Sequence, residues 1–120
     1  MKFLRSPLAE QLRFIDFSIN DIDDEVLFYI AENGDFQNLE VFQVNDCKSV
    51  TSIGVISFLK SERLPNLKKL SLVNTEVDDI LVDTIKERSN NLKGLEWVDI
   101  RGCNNISSIP EELIYFPQKI

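Results

Sequence analysis

The sequence predicts an α/β protein made of four strand–turn–helix units whose strands run parallel to one another. Two observations lead to this prediction. A pattern L-x-x-φ-x-φ, in which φ is an apolar residue, occurs four times, and its leading leucines are spaced 27, 28 and 28 residues apart. After each copy come polar residues suited to a helix start, followed by apolar residues at helical spacing. Because a single unit cannot bury its apolar face alone, we expect the four units to pack side by side.

Each unit begins with a short strand. The alternation φ-x-φ repeats every two residues, which is the period of a strand with one buried face. The four copies begin at Leu12, Leu39, Leu67 and Leu95. Three residues after the last residue of each copy stand Asn20, Cys47, Thr75 and Cys103. Two or three residues further along follow the apolar residues Ile22, Val50, Val77 and Ile106. Agreement at these additional positions separates a true repeat from chance matches of a short apolar pattern.

A turn and a helix complete each unit. Pairs of capping residues recur in register, because Ser, Thr and Asp side chains accept hydrogen bonds from the free amides of a helix start. These pairs are Asp23–Asp24, Thr51–Ser52, Asp78–Asp79 and Ser107–Ser108. Helical spacing follows at Val26/Leu27/Ile30, Val55/Ile56/Leu59, Leu81/Val82/Ile85 and Leu113/Ile114. In the last unit, Ser108, Pro110 and Glu111 form a capping-box arrangement that predicts a helix start there.

The complete pattern, L-x-x-L-x-L-x-x-(C/N/T), resembles the leucine-rich repeat over about residues 12–116. The units that contain Cys47 and Cys103 are similar to the cysteine-containing subclass found in F-box substrate receptors of ubiquitin ligases, while Asn20 and Thr75 depart from that subclass. The resemblance implies a solenoid in a short horseshoe arc. In such a fold the parallel strands lie on the concave face and the helices on the convex face.

The predicted organisation is a cap segment at residues 1–11, repeats at about residues 12–38, 39–66, 67–94 and 95–116, and a tail at residues 117–120. Stacked repeats expose apolar flanks at both ends, and Phe3, Leu4 and Leu8 suit a cap for the first repeat. The apolar carboxyl end, Leu113–Ile120, is expected either to fold back over the last repeat or to contact another chain, so self-association through the terminal repeats is a further prediction.

The composition excludes several function classes. The chain has 120 residues, a net charge of −7 and no histidine. Its acidity argues against nucleic-acid binding, which needs a basic field, and its longest apolar run, six residues, is too short to cross a membrane. Without histidine, the commonest general base and metal ligand are missing, so we expect no cofactor and no metal. The acidic cluster at Asp21 lacks the glycine of a calcium-binding loop, and helix capping explains Asp23 and Asp24.

The two cysteines occupy the same position of the repeat. Cys47 and Cys103 are two repeats apart, which is roughly 10 Å by strand spacing. A disulfide needs Cα atoms within about 7 Å of each other, so we expect both thiols to be reduced and buried. Reduced cysteines predict a cytoplasmic, reducing location.

The expected binding surface is the set of strand residues that alternate with the buried ones and form rows across the sheet. The first row is Phe14, Val41, Lys69 and Trp97; the second is Asp16, Gln43, Ser71 and Asp99; the third is Ser18, Asn45, Val73 and Arg101. Aromatic residues and arginine dominate the binding energy of interfaces. We therefore expect the strongest contact at Trp97, beside Arg101 and Asp99.

A further row, Arg13, Glu40, Lys68 and Glu96, alternates in sign from strand to strand. Opposite charges on neighbouring strands stabilise a sheet and penalise slipped registers. This row is therefore predicted to be structural.

Three function classes follow from these observations. The first is a non-enzymatic module that binds another protein through the strand face, with ten candidate contact residues. These are Phe14, Asp16, Val41, Gln43, Lys69, Ser71, Val73, Trp97, Asp99 and Arg101. The alternatives are a structural or assembly subunit of a larger complex, and a substrate-recognition or effector component linked to a ubiquitin ligase. An enzyme is disfavoured, because Asp16 and Asp99 are expected about 14 Å apart, beyond the roughly 5–10 Å of a glycosidase pair.

Overall fold

A computed structural model of the protein describes residues 11–87 and 94–109. Strands and helices alternate along these residues, as predicted. The elements are β1 (Phe14–Asp16), α1 (Asp24–Asn33), β2 (Val41–Gln43), α2 (Ser52–Leu59), β3 (Lys69–Ser71), α3 (Asp79–Glu87) and β4 (Trp97–Asp99). The longest of these helices, α1, has 10 residues, and none of the described helices has the length and hydrophobicity needed to cross a bilayer.

The four strands form one parallel sheet in the order β1-β2-β3-β4. Their register follows the repeat, since Phe14 pairs with Val41, Val41 with Lys69, and Lys69 with Trp97. The α/β class and the four predicted strands are thereby confirmed. Parallel neighbours need a crossover between them, and α1, α2 and α3 supply it.

The core lies between the sheet and the helices. The central residue of each strand is at most 7% exposed, and these residues are Ile15, Phe42, Leu70 and Val98. Phe42 contacts Phe17 edge-on, with ring centroids 6.0 Å apart, and lies against Phe58 with centroids 4.5 Å apart. The helices bury the apolar residues that the spacing predicted, among them Leu27, Ile30, Val55, Leu59, Leu81, Val82 and Ile85.

The capping pairs serve two purposes. The first residue of a pair caps its own helix, as when the Asp23 side chain accepts from the amides of Glu25 and Val26. The second residue bonds to the next unit, as when the Asp24 carboxylate accepts from the Thr51 amide at 2.8 Å and from its hydroxyl.

Two further units repeat this arrangement. Ser52 Oγ donates to Asp78 Oδ1 at 2.7 Å, and the Asp79 carboxylate accepts from the amide and hydroxyl of Ser107 at 2.9 and 2.8 Å. Gly54 of α2 lies against the Asp24 carboxylate, where a Cβ would clash. The helix starts are therefore linked by side chains from one unit to the next.

The cysteine column also joins neighbouring units. Cys47 and Cys103 are both free and fully buried, as predicted. The Cys47 thiol donates to the carbonyl of Phe17, and the Cys103 thiol donates to the carbonyl of Leu72 at 3.0 Å. Each thiol therefore bonds to a carbonyl of the preceding unit.

A left-handed residue follows each strand. Ile19, Asp46, Asn74 and Gly102 have φ of 61°, 62°, 58° and 77°. Asn, Asp and Gly adopt this conformation readily, whereas a β-branched residue does so at a cost. The first turn is therefore strained at Ile19, whose side chain is also 80% exposed.

Several predictions lie outside the described residues. They are the cap segment apart from its last residue, Gln11, the helical spacing at Leu113/Ile114 and its capping box, and the tail at residues 117–120.

Candidate interaction surface

The first row of strand residues lies on the face of the sheet that is turned away from the helices, called here the outer face. Phe14, Val41, Lys69 and Trp97 are in-register neighbours across the four strands. Phe14 is 53% exposed, Lys69 is exposed, and Val41 and Trp97 are half-buried. All four predicted residues of this row are therefore brought together.

An open groove crosses the β1 to β3 side of the outer face. It has a volume of about 380 Å³ and is lined by Arg13, Phe14, Glu40, Val41, Lys68 and Lys69. Phe14 and Val41 supply the apolar part of the lining, and the other four residues carry charge. Trp97 lies next to Lys69 in the register but is not part of this lining.

The charged row meets at Glu40. Its carboxylate accepts from Arg13 at 3.0 Å and pairs with the Lys68 ammonium at 3.3 Å. Hydrogen bonds from Arg13 and Lys68 hold the pKa of Glu40 below its usual 4.5, so Glu40 stays ionised in the groove. The predicted alternation therefore forms ion pairs across the first three strands, whereas no ion pair among the described residues joins Lys68 to Glu96.

The second row was expected to be exposed, and this is wrong for two of its members. Ser71 is 4% exposed and Asp99 is 2% exposed, while Gln43 is half-buried and Asp16 exposed. Ser71 Oγ donates to Asn45 Oδ1 at 2.6 Å, and Asp99 bonds to Arg101. Neighbouring side chains cover both groups, so neither offers a free surface to a partner.

Two members of the third row, Ser18 and Asn45, accept hydrogen bonds from backbone amides at the ends of the strands. In the inner units the acceptor comes from the preceding unit, because Asn45 N donates to Ser18 Oγ and Val73 N donates to Asn45 Oδ1. Val73 has no side-chain acceptor to offer to the next strand. The corresponding amide, Arg101 N, donates instead to Asp99 Oδ1 at 3.1 Å.

The expected contact around Trp97 is corrected at Asp99, whose carboxylate is already occupied. The Arg101 guanidinium binds both oxygens of Asp99, with an Nη2–Oδ2 distance of 2.6 Å. Asp99 and Arg101 thus complete the last strand and its turn, although the Arg101 side chain remains 41% exposed. Asp16 bonds the Ser18 amide in the same way on the first strand, at 2.8 Å.

Sequence reasoning missed that Arg13 and Lys68 line the groove, because it assigned their row a structural role alone. The signal was available, since each of these cations directly precedes a first-row position, Phe14 or Lys69. Arg13 and Lys68 therefore stand directly before β1 and β3 and line the groove beside Phe14 and Val41.

In the part of the chain that the structure describes, no three His, Cys, Asp or Glu side chains come together in a way that could hold a metal ion. Helix capping was predicted for Asp23 and Asp24 in the acidic cluster at Asp21. The prediction is confirmed for Asp23, which caps α1. Asp24 bonds to Thr51 instead of capping.

No protein-family model, curated protein or solved structure matches this chain. The geometry of the outer face is therefore the basis on which a function can be argued.

Proposed function

We propose that this chain is a leucine-rich-repeat solenoid, shaped as a short arc, that binds another protein through its concave strand face and has no catalytic role. The repeat of 27 to 28 residues and the in-register parallel sheet support the proposal. A fold of this kind supplies a continuous row of side chains, one from each unit, to a partner.

The exposure of Phe14 is the observation that carries the proposal. Phe14, on β1, is 53% exposed and lines a groove together with Val41, beside four charged side chains. Elsewhere on this face, residues such as Ser71 and Asp99 are engaged in bonds that stabilise the protein itself. Large aromatic side chains that contribute nothing to a core are typical anchors of protein interfaces.

A reducing compartment is part of the proposal. Cys47 and Cys103 are unpaired, and an oxidising environment favours paired cysteines. The alternative roles, an assembly subunit or a substrate-recognition component linked to a ubiquitin ligase, would use the same surface, and identification of the captured partner distinguishes them.

The test is affinity capture with two double variants. Phe14→Ala/Trp97→Ala truncates the strand face, and Ile53→Ala/Ile80→Ala truncates two exposed apolar side chains on helices α2 and α3 as a matched control. We expect the first variant to lose a partner that the wild type and the control retain. Circular dichroism and a melting curve establish that both variants are folded.

The opposite pattern overturns the proposal. If the strand-face variant retains the partner and the helix variant loses it, the chain binds through its convex side. If both variants retain the partner, binding uses neither surface.

A further inference from the structure

We propose that the groove selects a partner segment in which an apolar side chain is flanked by aspartate or glutamate. This inference rests on the proposed function and adds the chemistry of the ligand. It follows from three features of the groove: its size, its apolar pair and the excess of positive charge around it.

The size fits a peptide segment. A volume of about 380 Å³ lies at the lower end of the roughly 300–1,000 Å³ of clefts that bind small ligands. The groove is open to solvent and is shared by three strands, so an extended segment can place one side chain in it and continue across the sheet. A single apolar side chain with its flanking residues is therefore the appropriate occupant.

The apolar pair supplies the anchor. Phe14 and Val41 are directly opposite each other on β1 and β2. Their side chains face away from the core that Ile15 and Phe42 fill. Burying the exposed part of the Phe14 ring against a partner's apolar side chain removes both surfaces from water, which favours binding.

The charge selects the flanking residues. Three cations, Arg13, Lys68 and Lys69, and one anion, Glu40, line the groove. The surface is thus locally positive on a chain whose net charge is −7. Lys69 forms no ion pair with any described residue. An incoming carboxylate therefore has a cation to meet beside the apolar pair.

The existing ion pairs sharpen the selection against basic segments. The charge of Glu40 is already balanced by Arg13 and Lys68, so a lysine or arginine of the partner would have to compete with these two cations for it. The Arg13 side chain is 74% exposed, and Glu40 engages one of the five N–H donors that a guanidinium carries. A second carboxylate can use the remaining donors, whereas a basic residue would meet three cations.

The experiment is a selection from a displayed library of random linear peptides, followed by binding measurements on synthetic versions of the enriched peptides. The variants are Lys69→Glu, Phe14→Ser and, as a control for charge reversal away from the groove, Lys86→Glu on α3. We expect enriched peptides to carry an apolar residue next to Asp or Glu. We expect Lys69→Glu to weaken their binding about five- to tenfold, which is the scale of losing one exposed ion pair and gaining one repulsion.

Phe14→Ser should weaken the same peptides further, and Lys86→Glu should leave them unchanged. Enrichment of basic or uncharged peptides that Phe14→Ser still abolishes overturns the charge selection and leaves the proposed function standing. Acidic peptides that bind all variants equally overturn the groove as their site. A library that yields no peptide overturns selection of a linear segment, and the capture experiment then decides the proposed function independently.

Discussion

The two faces of the sheet differ in burial: the central residues of the inner face are all buried, whereas the outer face has both exposed and buried residues. On the inner face all four central strand residues are buried hydrophobic side chains that fill one core. On the outer face, Phe14 and Lys69 are exposed, whereas Ser71 and Asp99 are buried in bonds to neighbouring strands or turns. Position on a strand therefore determines which face a residue occupies, but the bonds of its side chain, within a unit or between units, determine whether an outer residue is available to a partner.

The largest expected effect tests this difference with two phenylalanines on adjacent strands. Phe42→Ala should lower the free energy of unfolding by about 3–5 kcal/mol, because it removes a ring that packs between Phe17 and Phe58. Phe14→Ala should change it by no more than about 0.5 kcal/mol, since this ring is half in water. Urea unfolding of both variants measures the two values. A comparable loss for Phe14→Ala would mean that Phe14 belongs to a core.

The next largest loss of stability is expected from removing the buried carboxylate of Asp99 on the outer face. Asp99→Ala should cost about 1–3 kcal/mol, because the Arg101 amide and guanidinium lose their acceptor. Asp16→Ala removes the equivalent bond to the Ser18 amide at an exposed position and should cost less. Equal losses of unfolding free energy for the two variants in urea would show that the burial of Asp99 does not make its bonds more stabilising than those of Asp16.

Stabilisation is expected from a change in the first turn, beside the outer face. Ile19→Asn should raise the free energy of unfolding by about 1 kcal/mol, because it relieves a β-branched residue from the left-handed region. The same exchange at the exposed helical position Ile53 should lower it slightly, since Asn is a poorer helix former. Thermal melts of both variants measure the sign. A loss at both positions would contradict strain at Ile19.

The smallest effects are expected from carboxylates with a lowered pKa. Hydrogen bonds from Ser107 hold the pKa of Asp79 below its usual 3.8, so its contribution to stability is present above pH 3.8 and is lost as the pH falls through the lower value. Asp79→Asn should therefore flatten the acid end of the stability curve. Glu40→Gln removes exposed ion pairs of the outer face and should change stability little at pH 7.

Unfolding measured from pH 7 down to pH 2 checks these two expectations. Asp83→Asn on α3 is the control for losing one negative charge. If Asp79→Asn and the wild type show parallel acid profiles, the Asp79–Ser107 bonds add nothing to folding.

The strands, their register and the helix starts could be predicted from the sequence, because they follow local periodicities. Leucines spaced 27, 28 and 28 residues apart match the offsets between paired strands. The first row of the outer face followed from the same alternation. The left-handed residue after each strand was not predicted, although Asp46, Asn74 and Gly102 are of residue types that favour this conformation.

The acceptor of the Arg101 amide could not be predicted from the unit that contains it. Val73 offers this amide no side-chain acceptor, whereas Asn45 offers one to the amide of Val73, so the Arg101 amide bonds to Asp99. The groove likewise arises from side chains on three strands, including Arg13 and Lys68. Both features depend on side chains from more than one unit, so they cannot be predicted from the sequence pattern of a single unit.

The cysteine column can report the order in which the repeat units unfold. Cys47 bonds to the unit that precedes it, and so does Cys103 two units further along. Both sulfurs are fully buried, so we expect a thiol-reactive dye to reach each one when the corresponding pair of units separates. If Cys47 is labelled before Cys103, unfolding begins at the amino-terminal units, and the reverse order indicates that it begins at the carboxyl-terminal units.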